Sequence, residues 1–395
     1  MKSRYMFFSF LILVMLVAAC APAATSTVAA KEPIKIAALH NMTGNEGPLD
    51  GPASQGAKLA MKQINAKGGL LGGRMIDLRL LDTKTDIATA GNAATQLVNE
   101  KVVAAEGFAD TDYALAVGPI FAKAGISYTT AGATSPKLTD VVPDWLFMAN
   151  WGDNTQAAAM AEYAVNKLNL HTAYIMNNAG KEVSYLVTGY FQTRFQELGG
   201  KVLLVDNYQT GDKDYSAEIT KFKSLNPTPD LIYVGTSPDD IGTIIKQFRE
   251  AGVTAYILSH DGADTPLLLQ VAGANAVNVF YTTHAFFEEN TGTDAVKKFM
   301  ADYKAEYGNI PENAFVGLAY DAVNLIADAI TRAGSTDPTA IKDALKVTKD
   351  FPAVTGNITF VPPLRIPNKL VYIIGAKDGK FFLADTVIPE KVPAP

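Results

Sequence analysis

The sequence predicts an α/β protein with two doubly wound parallel sheets, one in each of two lobes. Short apolar runs alternate with amphipathic stretches of helical period along most of the chain. The alternation restarts near residue 150, as a second sheet requires. The length agrees: 395 residues exceed what one core holds, since cores stop growing near about 250–300 residues.

The elements follow in order. Residues 34–39 read as a strand. Residues 51–68 read as a helix, because Ala57, Leu59, Ala60, Met61 and Ile64 recur at helical spacing and Gly68 with Gly69 stops it. Then come a strand over 74–82, a helix over 87–99, a strand over 102–107, a helix over 114–123 and a strand over 127–130. The second series has helices over 157–168, 185–198, 215–224 and 239–251, with strands over 172–176, 201–206 and 231–235. Right-handed crossovers between parallel strands leave little freedom of topology. The last part differs. Helices are expected over 294–307, 313–333 and 338–347, and strands over 351–360, 370–375 and 380–384, the last two at hairpin spacing. The Pro-containing end from Ile388 reads as a loose tail.

Composition narrows the function. Apolar residues are 48% and charged residues 19%, which excludes disorder for most of the chain. The net charge is -6 and no basic stripe occurs, so no nucleic-acid partner is expected. The single cysteine, Cys20, rules out an intrachain disulfide and a cysteine-rich zinc site. Neither His40, His171, His260 nor His284 stands in an HExxH pattern. No phosphate loop, dinucleotide fingerprint or GxSxG elbow is present. No catalytic residue, metal or cofactor is therefore expected, and the chain reads as a non-enzyme.

Residues 1–19 carry Lys2 and Arg4, a short apolar run over 6–17, and Ala18 and Ala19. A spanning helix needs about 20 apolar residues, so this segment reads as a signal peptide. ValAlaAlaCys (17–20) resembles the lipobox of bacterial lipoproteins. The resemblance implies cleavage before Cys20, lipidation of its thiol, and residues 20–32 as lipid anchor and flexible tether. The body is then exported and lipid-anchored, at the outer face of the cytoplasmic membrane or in the periplasm.

Several segments resemble the branched-chain amino-acid (Leu/Ile/Val) binding proteins of ABC importers, with the type I periplasmic binding fold. They are IleLysIleAlaAlaLeuHisAsnMetThrGly (34–44), the GlyAlaLysLeuAlaMetLysGlnIleAsnAlaLysGlyGly block (56–69), LeuAspThrLysThrAsp (81–86), AlaGlyIleSerTyrThrThrAlaGlyAlaThrSerPro (124–136), ThrGlyAspLysAspTyr (210–215) and ProAspLeuIleTyrValGlyThr (229–236). The likeness spans residues 33–390. It implies lobe 1 over 33–152 with 285–362, lobe 2 over 153–284 with 363–395, and three hinge crossings near 150–154, 282–286 and 361–365. It also implies capture of an amino acid or similar small carboxylate, delivery to an ABC permease in the membrane, and a monomeric state. A sensor reporting to a membrane signalling partner, or a receptor for aromatic acids or amides, remains open on these residues.

The resemblance assigns site residues too. Thr111, Gly132 and Thr134 stand where the family holds the ligand carboxylate, and Asp261 where it holds the ammonium. Leu49 and Ser237 replace aromatic wall positions, and Tyr185 lies near another. The loop over 177–184 departs from the family's usual form, so a leucine-like ligand is not implied. Phe108, Tyr113, Trp151 and Phe315 are further wall candidates, and His40 with Asn41 end the first strand.

Overall fold

A computed structural model describes residues 31–289 and 292–395. The leader, Cys20 and most of the tether lie outside the described residues. The first series is β1 (Ile34–His40), α1 (Gly47–Ala66), β2 (Ile76–Asp82), α2 (Ile87–Asn99), β3 (Ala104–Gly107), α3 (Thr111–Lys123), β4 (Ser127–Thr130), α4 (Leu138–Val141) and β5 (Leu146–Met148). These strands form one parallel sheet in the order β2-β1-β3-β4-β5.

The second series is α5 (Asp153–Asn166), β6 (Thr172–Ala179), α6 (Glu182–Glu197), β7 (Lys201–Gln209), α7 (Ser216–Ser224), β8 (Leu231–Gly235), α8 (Ile241–Glu250), β9 (Tyr256–Ser259), α9 (Leu267–Ala272) and β10 (Val279–Thr283). Then follow α10 (Asp294–Tyr307), α11 (Phe315–Ala333), α12 (Pro338–Lys346), β11 (Val371–Lys377) and β12 (Lys380–Val387). The second sheet runs β12-β11-β10-β9-β8-β6-β7, parallel from β7 to β10 and antiparallel through the β11–β12 hairpin.

Both sheets are covered on two faces, so their strands read as continuous apolar runs. In the first, Ile34 and Ile36 pack with α1, α11 and α12, while Ala37 and Leu39 pack with α2 and α3. In the second, Tyr174, Met176 and Ile232 face α7 and α8, while Ala173, Ile175 and Tyr233 face α5 and α6. The chain crosses between sheets after β5, after β10 and before β11. Trp151 joins the three crossings. Its ring stacks on His284 at 3.7 Å, and its indole N–H donates to the Leu370 carbonyl at 3.2 Å. Arg365 still belongs to the first sheet's edge, donating to Leu146 O at 2.8 Å and accepting from Met148 N at 2.9 Å.

The structure corrects three readings. Residues 351–360 form no strand, only a Phe351–Ile358 bridge, because Pro352 and Gly356 interrupt the ladder. The strands β5, β9 and β10 are not among those expected from the sequence, and they complete the two sheets. The tail is tied down: Asn154 Nδ2 donates to Pro393 O at 2.9 Å and Glu390 N donates to Glu162 at 3.0 Å. Among the described residues, no helix is long and apolar enough to cross a membrane.

Candidate functional site

Where the two sheets face each other, loops from the carboxyl ends of their strands meet. This is where open α/β sheets hold ligands. A cavity there is lined from the first lobe by Glu46, Leu49, Ala109, Asp110, Thr134 and Phe315. From the second lobe come Lys181, Val183, Thr236, Ser237, Pro238, His260, Asp261 and Gly262. Its volume is about 30 Å³, room for about one or two waters. The lobes are thus closed on one another.

Of the residues singled out from sequence, Leu49, Thr134, Ser237, Asp261 and Phe315 line this cavity. Gly132 lies behind it, with φ +146°; a Cβ there would sit 2.5 Å from the Phe315 ring. Thr111 is buried, and its hydroxyl accepts from Ser135 N at 3.2 Å, which ties the two carboxylate-side loops together. Tyr113 packs beneath the Lys181 ammonium, 5.8 Å from ring centroid to nitrogen. Phe108 and Trp151 are fully buried and do not reach the cavity; Phe108 packs on Tyr113 and Trp151 sits in the hinge. Tyr185 is 46% exposed and lies apart from it, its hydroxyl 3.4 Å from Asn207.

Asp261 is heavily engaged. It accepts from Gln156 Nε2 at 2.8 Å and pairs with His284 Nε2 at 2.9 Å and His260 Nδ1 at 3.1 Å. Burial works against its charge, but the two imidazole hydrogen bonds hold it well below the usual carboxylate range. Asp153, at the start of α5, donates its N–H to Thr134 O at 2.7 Å and so links the two lobes at the site. Burial, reinforced by the Asp261 charge, raises the Asp153 carboxyl to about 7.

Sequence reasoning missed two ionic groups. Lys181 Nζ lies 2.8 Å from Glu46 Oε1 and 2.7 Å from Asp110 Oδ2, across the cleft. Burial opposes its charge, yet Asp110 and Glu46 hold the ammonium well above its ordinary range. The departure of the 177–184 loop from the family pattern was the available signal. The second group lies beneath the cavity floor. His40 stands between Asp50 Oδ1 at 3.3 Å and Glu106 Oε1 at 3.1 Å, all three fully buried. Burial disfavours the imidazolium, but Glu106 and Asp50 raise His40 to about 10. Asp50 in turn accepts from Ala109 N at 2.9 Å and Asn41 N at 2.9 Å, fixing a cavity-lining loop. Among the described residues, no group of His, Cys, Asp and Glu is arranged to hold a metal ion.

Two mainly parallel sheets joined by three crossings, with a cavity of mixed apolar and charged lining between their strand ends, define a two-lobed ligand receptor. The family model for periplasmic binding proteins matches residues 33–380, and the chain belongs to that family. Among curated relatives it is similar to the Leu/Ile/Val-binding protein homolog 3 of Brucella melitensis, 28% identical over 353 residues, which cover 89% of this chain and 94% of the relative. Among solved structures it is similar to a leucine-binding protein of Thermotoga maritima, with TM-score 0.84 and 31% identity, covering 90% of this chain and 99% of that one. A branched-chain amino-acid transporter substrate-binding protein of Streptococcus pneumoniae, in complex with isoleucine, gives TM-score 0.82 at 28% identity, covering 90% and 99%.

Proposed function

We propose that this chain is the extracytoplasmic substrate-binding component of an ABC importer, which captures an amino acid or related small carboxylate between its lobes. The observation that carries this reading is that Thr134 of one lobe and Asp261 of the other line the same cavity. A hydroxyl and backbone donors at strand ends suit a carboxylate, and a carboxylate opposite suits an ammonium. A buried zwitterion needs both. The relatives named for leucine, isoleucine and valine support the same ligand class.

Residues 33–152 with 285–369 move as one body and 153–284 with 370–395 as the other, the third crossing lying later than the resemblance implies because Arg365 and Ile366 pack on the first sheet. Ligand contacts to both favour the closed form. The closed cavity is smaller than any amino acid, so the ligand enters an opened form. Export follows from the leader. A lipid on Cys20 and the tether over 20–32 keep the monomeric receptor near its permease. Binding is without turnover.

The test is thermal unfolding across the common amino acids and small carboxylic acids. A true ligand at 100 times its Kd adds about 2.7 kcal/mol and raises Tm. If no compound raises Tm, the reading falls. Asp261→Ala that binds as tightly as the parent removes the ammonium role.

A further inference from the structure

The cleft already holds a cation. Lys181 precedes α6 in the second lobe, and its side chain reaches two carboxylates of the first. Glu46 and Asp110 are 4% and 5% exposed at the side chain and Lys181 15%, so the group is almost withdrawn from water. Asp110 is also held in place, accepting from Asp112 N at 2.8 Å at the start of α3. The same cavity is walled by Leu49, Ala109, Val183 and Phe315, and Lys181 lines it beside them. Charges this deep need partners. An apolar side chain pressed among them supplies none and is rejected by the cost of stranding them.

We propose that Lys181 is the specificity-determining residue of the cleft: through Glu46 and Asp110 it clasps the lobes in place of ligand, and it selects ligands with a hydrogen-bonding side chain over branched aliphatic ones. The selectivity rests on the substrate-binding reading above. An amide, hydroxyl or charged ligand group takes over one bond of the triad as it enters, whereas a leucine side chain takes over none.

Two measurements test this. Small-angle scattering of the ligand-free protein reads the clasp. Lys181→Met increases the radius of gyration, Lys181→Arg preserves it, and Lys246→Met, exposed on α8, leaves it unchanged. An unchanged radius in Lys181→Met overturns the proposal whatever the ligand. Calorimetry with leucine, serine, asparagine, glutamine and lysine reads the selectivity. The parent prefers a polar ligand by about tenfold or more, and Lys181→Met gains about tenfold for leucine. A parent that prefers leucine, or a variant that gains nothing for it, overturns the proposal. If neither protein binds any amino acid, the substrate-binding reading falls, and scattering alone decides the clasp.

Discussion

His40, Asp50 and Glu106 put three ionisable side chains where water does not reach. Such a group is tolerated only while complete, because removing one partner leaves an unpaired charge in low dielectric. Glu106→Leu is therefore expected to lower unfolding free energy by about 3–5 kcal/mol in urea denaturation. The His40→Leu, Glu106→Leu double variant should recover part of that loss, since it buries no stranded imidazolium. Additive losses would show that the two do not interact. Asp50 sits in a Gly- and Pro-rich stretch (47–52), but His40, ending an apolar run, and Glu106, inside one, were conspicuous in sequence. Their association was not, because His40 and Glu106 are 66 positions apart. The same limit hid Glu46 and Asp110 from Lys181, whereas Thr134 and Asp261 could be placed through the motifs around them.

At the scale of elements, the closest approach is between α1 and α11. A Cβ on Gly56 would lie 2.0 Å from the Val316 carbonyl oxygen, so only glycine lets the two helices touch. Gly56→Val forces them apart and opens the packing of Ala53, Ala57 and Leu318. The expected loss is about 3 kcal/mol or more, read as a lower Tm. A stability equal to the parent's would refute the close approach. Periodicity alone identified α1 and α11, and β8 came out with its full bounds, because long amphipathic runs and buried β-branched runs are strong local signals. The starts of α1, α3, α5 and α6 lie ahead of where periodicity marks them, while α2, α10 and α12 start where expected, because capping geometry depends on loops whose conformation the neighbouring strands decide. The false strand over 351–360 shows the converse, apolar residues that pack without a ladder.

For the molecule as a whole, buried acids set the pH response. Burial is the first cause that raises Asp153 to about 7, and Asp264 and Asp240 to about 6. A carboxyl raised in the folded state contributes stability that is present below its unfolded pKa and lost as pH rises through the folded one. His40, raised to about 10, acts in the same direction at higher pH. Asp261 is depressed, so its contribution is lost only as pH falls below the ordinary carboxylate range. The ligand-free Tm should therefore peak at mildly acidic pH and decline between about pH 5 and pH 8. A Tm that rises over this interval would contradict the burial of these acids. The hinge carries a different kind of consequence. The chain has two tryptophans, and Trp151 is the one that touches all three crossings and leans on His284. Any rotation of one lobe against the other changes what its indole stacks on. The protein thus contains its own optical reporter of opening, readable as intrinsic emission without a label, once the Trp145 background is removed by Trp145→Phe.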